Sequence, residues 1–132
     1  MKVGVKSILI LSIITIIGIL YFYETLRLEK TSLILIIGLY FIMMTFFGVI
    51  INLNTDNIIV NHLNPFKKKI FIPLSEINDV TIMRLSLSST STIVFQTKTK
   101  KIKVSCFYMM SDFKKIEKYL LSNDIRCSIL TW

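Results

Sequence analysis

The side chains that most often carry catalysis or hold a metal are few and scattered in this sequence of 132 residues. His62 is the only histidine, and Cys106 and Cys127 lie too far apart for a zinc-binding pair motif. All four glycines fall within the first 48 residues, so no glycine-rich phosphate loop follows them. The acids are dispersed, and the serines have no acid–base partner in a recognisable motif. We therefore expect no catalytic residue, no metal and no cofactor, and a function that is not enzymatic.

Positive charge is the chemistry that the sequence does concentrate. The net charge is +8, and lysines cluster in two short segments with turn signals. The clusters are Phe66, Lys67, Lys68 and Lys69, and then Lys98, Lys100, Lys101 and Lys103. Each lysine close to an anionic membrane gains about 1 kcal/mol. The clusters are candidate contacts with a membrane surface or a protein partner; alternatively, they form a solvated face that only sets topology and solubility. A membrane tether and the lack of an exposed aromatic platform argue against nucleic acid as a partner.

Two long apolar runs precede the lysine clusters. Residues 7–23 contain no charged side chain in 17 positions, and residues 31–55 contain none in 25. A helix that crosses a bilayer needs roughly 20 apolar residues. The runs predict a transmembrane hairpin in residues 1–52, with helices at about 7–23 and 32–51. No small-residue cleavage site follows the first run, which favours an uncleaved signal anchor over a removed signal peptide.

The distribution of lysine and arginine predicts the orientation of this hairpin. Lys2 and Lys6 precede the first run without any acid. The segment after residue 52 holds 12 of the 16 basic residues and six of the acids, which leaves it a net charge of +6. Basic flanks are retained in the cytoplasm. We expect a multi-pass protein of the cell (inner) membrane with both termini in the cytoplasm, where the two cysteines stay reduced.

The apolar runs also indicate what the helices do. Neither run contains an ionisable side chain, so the helices lack the groups that transporters and ion channels place at membrane depth. In the second run, Gly38, Thr45 and Gly48 fall on one side of a helix, where small residues let a neighbouring helix approach closely. That neighbour is the first helix of the same hairpin or, alternatively, a helix of another protein.

After residue 52 the pattern changes to short alternating runs separated by turn residues, which is typical of half-buried strands. The predicted strands are residues 58–63, 69–73, 79–85, 92–97 and 100–105. In the last two strands, the side chains expected to point inward are Ile93, Phe95, Ile102 and Val104. Lys101 and Lys103 are expected to point outward. The polar run 86–91 is predicted to be a turn.

The spacing of apolar residues changes once more near the C-terminus. The residues that recur at helical intervals are Phe113, Ile116 and Leu120. Ser111 or Asp112 is expected to cap this helix, and residues 125–130 alternate as an edge strand does. A sheet with one apolar face needs a cover, which this single helix provides. The predicted fold class is therefore a membrane α-helical hairpin plus an α+β domain.

The stretch Ile72-Pro73-Leu74-Ser75-Glu76-Ile77, which follows the basic hairpin 64–69, resembles the bacterial PH-like domain of small membrane proteins. Members commonly place one or two hydrophobic helices before such a domain. The resemblance implies, for residues 53–132, an antiparallel sheet or partly open barrel closed by one C-terminal helix, with a non-catalytic role. The segment is short for a complete barrel, so one strand is either missing or supplied by the end of the second apolar run. The cationic signature of phosphoinositide-binding PH domains is not recognisable, so no ligand is implied.

These expectations combine into a functional hypothesis. The protein is a membrane-anchored interaction module that scaffolds or regulates a protein partner at the cytoplasmic face, with anionic headgroups as a second candidate contact. Residues 58–63 and 125–130 are the expected edges for addition of a partner's strand. The alternatives are a small membrane immunity or accessory protein and a subunit of a larger membrane complex. A fragment containing only residues 52–132 is expected to fold.

Overall fold

The computed structural model describes residues 1–27, 29–84 and 90–132 of the chain. The helices in these ranges are α1 (Val5–Leu26), α2 (Lys30–Phe47) and α3 (Met110–Ser122). The strands are β1 (Lys2–Val3), β2 (Val49–Leu53), β3 (Asn57–His62), β4 (Ile70–Pro73), β5 (Ile77–Arg84), β6 (Thr90–Thr97), β7 (Lys101–Phe107) and β8 (Arg126–Thr131). A short 3-10 helix, Leu74–Glu76, joins β4 to β5. The predicted turn at 86–91 lies mostly outside the described residues, and its last two residues belong to β6.

Helices α1 and α2 pack against each other as a helical hairpin. Both are long and apolar enough to cross a membrane, by length and composition. Apolar side chains are exposed around both helices, as on a surface that a bilayer covers. Between the helices, the Tyr40 hydroxyl donates to the Ser12 hydroxyl oxygen at 3.1 Å.

The first sheet has the strand order β1-β2-β3-β4, and each neighbouring pair is antiparallel. β1 precedes α1 and β2 follows α2, so the helical hairpin is inserted between two neighbouring strands. The predicted end of the second helix at residue 51 is wrong, because α2 ends at Phe47 and β2 begins at Val49. Val49, Ile50 and Ile51 are β-branched, which favours a strand. Residue 52 is the predicted end of the helical hairpin. The first sheet therefore combines β1 and β2, which lie before or across this position, with β3 and β4, which follow it.

The second sheet has the order β7-β6-β5-β8. β5, β6 and β7 follow one another in antiparallel pairs, whereas β8 joins β5 in parallel after the chain has passed through α3. The four side chains predicted to point inward from β6 and β7 are all buried, and Lys101 and Lys103 are exposed. The edge strand predicted near the C-terminus is confirmed as β8. The other expected edge, 58–63, is wrong, because β3 lies between β2 and β4.

The hydrophobic core takes side chains from both sheets and from α3. Its largest fully buried members are Tyr108, Phe95, Phe113, Ile51, Ile58, Ile72, Ile82, Ile93, Ile116 and Leu120. The three apolar residues predicted at helical spacing in α3 are thus confirmed as core residues. The predicted cap is wrong, since Met109 occupies the cap position and Asp112 lies inside the first turn.

The β domain, meaning the eight strands with α3, has two ends. At the junction end, where the helices enter, Val49 pairs with His62, and the Phe107 ring packs edge-on against Phe47 with 6.3 Å between ring centroids. At the far end, backbone hydrogen bonds of 3.0 Å join the β2–β3 turn to the 3-10 helix, and that helix to Lys98 in the β6–β7 turn. β7 runs between the two ends, a length of about 20 Å at ~3.4 Å per residue.

We predict that a fragment starting at residue 52 does not fold, contrary to the expectation from the sequence. The fragment lacks β1 and most of β2, and with them Val3, Val49 and Ile51 of the core. Losing one large buried aliphatic side chain costs about 2–5 kcal/mol, against a total domain stability of about 5–15 kcal/mol. Thermal unfolding followed by far-UV circular dichroism should show no cooperative transition.

A fragment containing residues 48–132 is the matched control, because both fragments lack the helical hairpin and Ser7, whereas this one keeps all of β2 and lacks only β1 among the strands. It should unfold cooperatively, at a lower temperature than the full chain in detergent. A cooperative transition of fragment 52–132 at the temperature of the control would contradict this prediction.

Candidate functional site at the junction of helices and β domain

Helix α1 begins directly against the Tyr108 ring. Gly4, the residue before α1, has φ 97°, a left-handed conformation that favours glycine. A Cβ atom at Gly4 would also overlap the Tyr108 ring. The Tyr108 hydroxyl donates to the Val49 carbonyl at 2.8 Å and lies 3.4 Å from the Val3 carbonyl. One buried side chain therefore joins the strand that leads into the helical hairpin to the strand that leaves it.

A second buried contact connects the first turn of α1 to the first turn of α3. Ser7 is 0% exposed and Asp112 is 1% exposed. The Ser7 hydroxyl donates to Asp112 Oδ2 and accepts the Met109 N–H at 2.9 Å. The Lys115 ammonium lies 3.4 Å from Asp112 Oδ1. Ser7 thus provides a partner for one buried acceptor and for one backbone donor near the start of α3.

The energetics of Asp112 explain why this contact matters. A buried carboxylate costs free energy unless hydrogen bonds and positive potential replace the lost water. Here the Ser7 hydroxyl, the N-terminal end of the α3 dipole and Lys115 provide that replacement. The Lys115 side chain is 45% exposed, so water screens its charge. Most of the compensation therefore comes from the hydroxyl and the helix N-terminus.

The pairing of Ser7 with Asp112 could not be predicted from the sequence. Ser7 and Asp112 are 105 residues apart, and no local pattern relates them. The available signals were a polar residue at the start of an apolar run and an acid in the first turn of an amphipathic helix. Each of these features has a local explanation that does not involve the other residue. For the acid, Asp112, that explanation is capping of the helix. Only the tertiary structure brings the two side chains together.

On the α2 side, the chain passes into β2 through Gly48. A Cβ atom at Gly48 would overlap the Leu63 side chain and the Met44 carbonyl oxygen, so this position requires close approach. The Leu63 N–H donates to the Gly48 carbonyl at 2.9 Å. The structure therefore places Gly48 against the β domain, apart from the other two small residues predicted to pack helices.

Gly38 and Thr45 lie on the open surface of α2. A Cβ atom at Gly38 would meet no neighbouring atom within 4 Å. The Thr45 side chain is exposed, and its hydroxyl donates to the Phe41 carbonyl of its own helix at 2.9 Å. Neither residue contacts α1 closely enough to explain its small size within the helical hairpin.

The structure separates the two lysine clusters. Phe66 and Lys67–69 follow β3 and lie at the junction end, because β3 ends at His62 opposite Val49. Lys98 and Lys100 lie in the β6–β7 turn at the far end, and Lys101 and Lys103 lie in the first half of β7. All of these side chains are exposed. The clusters are therefore separated by about 14 Å or more along the sheet, counted from Lys103 to the Phe107 end of β7, and form two separate surfaces.

The loop that carries the first cluster has a defined conformation. Asn64 is buried, and its side-chain oxygen accepts the Phe66 N–H at 2.9 Å while its carbonyl accepts the Lys67 N–H at 3.2 Å. This Asn-centred turn holds the Phe66 side chain away from the core, where it is 87% exposed. An aromatic ring and three ammonium groups thus project together from the junction end.

Burial shifts the pKa of several titratable groups in the β domain. Burial raises the pKa of Cys106 to about 12 and that of Cys127 to about 11, so both thiols stay protonated at neutral pH. Partial burial, and then the charge of Lys67, lower the pKa of His62. Burial raises the pKa of Tyr108, so its hydroxyl keeps the proton that it donates. Among the described residues, no three His, Cys, Asp or Glu side chains form a group that could hold a metal ion.

Comparison of the chain with protein-family models and with curated proteins gives no match.

We predict that Ser7→Ala lowers the free energy of unfolding by about 1–3 kcal/mol, because it leaves a buried carboxylate oxygen of Asp112 and the partly buried Met109 N–H without their partner. Ser111→Ala is the matched control, since Ser111 is exposed one residue before Asp112, and its change should stay within about 0.5 kcal/mol. Denaturant titration in detergent micelles measures both values. Equal losses for the two variants would show that the buried contact contributes nothing.

Proposed function

We propose that this protein is a membrane-anchored, non-catalytic interaction module with a PH-like domain, which holds or regulates a protein partner at the cytoplasmic face of the cell membrane. The observation that carries the proposal is the linker-free junction. Each apolar helix is joined to a strand of the first sheet through a single residue, Gly4 or Gly48, and Tyr108 and the Ser7–Asp112 pair tie these connections together. Such a junction serves to fix a domain relative to a membrane.

The orientation rests on charge and on the position of the two helix connections. β1 and β2 are neighbours in one sheet, so the chain enters and leaves the helical hairpin on the same side of it. The segment on that side carries most of the basic residues. Basic segments next to apolar helices are retained in the cytoplasm. The β domain and both chain termini therefore belong on the cytoplasmic side.

The PH-like assignment is supported by the arrangement of elements. Two four-stranded sheets surround a common core, and a helix late in the chain packs against it. Residues 53–132 alone are short for a complete PH-like barrel. In this proposal, Val49–Leu53 provides the additional strand, and Lys2–Val3 adds a further edge strand. β8 after the helix is a departure from the pattern that the resemblance implies.

The first lysine cluster, Phe66 and Lys67–69, lies in the loop between β3 and β4, called the basic loop below. In this proposal, the basic loop is the surface that faces lipid. It lies beside the point where α2 becomes β2, so the anchor holds it near the headgroups. Its three lysines gain about 1 kcal/mol each near an anionic surface. The exposed Phe66 ring adds an apolar group that fits the interface between headgroups and acyl chains.

The structure also favours a second candidate, a subunit of a larger membrane complex. Gly38 and Thr45 form a small-residue strip on α2 that the helical hairpin itself does not cover. Close helix approach in membranes uses such strips. In this case the partner would bind within the bilayer, and the β domain would be a cytoplasmic extension.

Tryptophan fluorescence tests the proposed arrangement. Trp132 is the only tryptophan, so Phe66→Trp in a Trp132→Phe background gives a single probe on the basic loop. Thr99→Trp in the same background gives the matched probe at the far end. In bilayers containing phosphatidylglycerol, lipids brominated close to the headgroup should strongly quench the first probe and leave the second unchanged.

Changing Lys67, Lys68 and Lys69 to Glu should weaken the quenching at position 66, because about 3 kcal/mol of attraction is lost. Equal quenching of the two probes, or none at position 66, would contradict the proposed placement of the basic loop on lipid.

A further inference from the structure

The far end carries a sheet edge that is open and positively charged. β7 lies at the end of the second sheet, and among the described strands it pairs with β6 alone. At the β6–β7 turn, the Thr97 N–H donates to the Lys100 carbonyl at 2.9 Å. In an antiparallel pair, hydrogen-bonded positions alternate with positions whose backbone groups point away from the neighbour. Ile102 and Val104 lie two and four positions beyond Lys100. Their backbone groups are therefore the ones in β7 that form hydrogen bonds with β6.

The remaining positions of β7 direct both their backbone and their side chains outward. The N–H and C=O groups of Lys101, Lys103 and Ser105 face the free edge by this alternation. Their side chains are exposed, while Ile102 and Val104 are buried in the core. The unpaired hydrogen-bonding groups and the ammonium groups thus belong to the same residues.

In the part of the chain that the structure describes, no carboxylate forms a salt bridge with these lysines. Among the described residues, the one salt bridge is between Lys115 and Asp112, at the other end of the domain. Lys98 and Lys100 in the adjoining turn add two further exposed cations. The edge of β7 and the adjoining turn therefore present four ammonium groups over a short length of chain.

The positive charge of Lys101 and Lys103 restricts which kind of partner can bind to the edge of β7. A second copy pairing through β7 would place lysines next to lysines, and like charges at cross-strand positions destabilise a sheet. A membrane surface is also a poor match, because Lys101 and Lys103 lie about 20 and about 14 Å from the Phe107 end of β7, at ~3.4 Å per residue, and the Debye length is about 8 Å at physiological salt. A strand with acidic residues at alternate positions satisfies both the backbone groups and Lys101 and Lys103.

We propose that β7 binds an acidic, extended segment of a protein partner by strand addition, with alternate Asp or Glu side chains of that segment on Lys101 and Lys103. The inference deepens the proposed function, on which it rests, by giving the surface and the chemistry of the partner. Backbone pairing supplies the binding, and the lysines select the acidic strand and exclude self-association.

The test uses the full chain in nanodiscs of zwitterionic lipid and a labelled peptide of alternating Glu and Val. Fluorescence anisotropy measures the Kd of the peptide. Lys101→Glu with Lys103→Glu should weaken binding about tenfold or more, because two attractive cross-strand pairs become repulsive. The control is Lys114→Glu with Lys118→Glu, which makes the same charge change on the exposed side of α3 and should stay within about twofold.

Two further measurements separate strand addition from simple charge attraction. Ser105→Pro removes one outward N–H and no bond to β6, and it should also weaken binding. A peptide N-methylated on its pairing edge tests the same point without altering the protein, and it should fail to bind. Equal binding of both peptides, or equal weakening by the α3 control, would overturn the proposal. Loss of binding to anionic vesicles in the Lys101→Glu, Lys103→Glu variant would overturn it as well, by assigning the charge to lipid.

Failure of this inference is distinguishable from failure of the proposed function. The quenching of a tryptophan at position 66 depends on the basic loop at the junction end and involves no residue of β7. If the peptide does not bind while that quenching persists, only the partner surface is wrong.

Discussion

The arrangement of this protein depends on one buried carboxylate. Asp112 is 1% exposed, and a charged group is tolerated there only because hydrogen bonds and a helix dipole replace water. The hydroxyl that meets this requirement belongs to Ser7, in the first turn of the first apolar helix. Satisfying Asp112 therefore fixes where α1 leaves the β domain. The hydrogen-bonding requirement of one carboxylate thereby constrains how the helical hairpin is oriented on the β domain.

At the junction around this pair, a single residue separates each apolar helix from a strand of the first sheet. Tyr108 bonds the strand after α2 and lies against Gly4 before α1, so both connections meet the same buried ring. The two positive surfaces lie at different ends of the β domain. One lies beside the helices with an exposed aromatic ring, and the other lies at the far end along a free sheet edge. In the proposed function, the first surface contacts lipid while the second remains available to a protein.

Much of the fold could be predicted from local pattern. Apolar runs identified the two helices, and strict alternation gave the inward residues of β6 and β7, because burial on one face imposes a period of two. The helical spacing of Phe113, Ile116 and Leu120 gave α3. The end of α2 was misplaced because Val49, Ile50 and Ile51 continue an apolar run without a break, and hydropathy does not distinguish a membrane helix from a buried strand.

The candidate site was less predictable, because its contacts are not local. β1 has only two residues, and it forms a strand because it pairs with β2, which follows the helical hairpin in the chain. Ser7 and Asp112 have separate local explanations that hide their pairing. The lysine clusters were visible in the sequence, but their separation to opposite ends follows from the strand order and from the direction of β7.

Electron–electron distance measurement tests the central claim, that the helical hairpin and the β domain form one rigid unit. Spin labels at Met43→Cys in α2 and Leu121→Cys at the end of α3 occupy exposed positions on regular helices, in a background with Cys106 and Cys127 changed to Ala. A rigid unit is expected to give a single narrow distance distribution that is the same in detergent and in nanodiscs. A broad distribution, or one that shifts between the two environments, would show that the β domain moves independently of the helical hairpin and would contradict the claim.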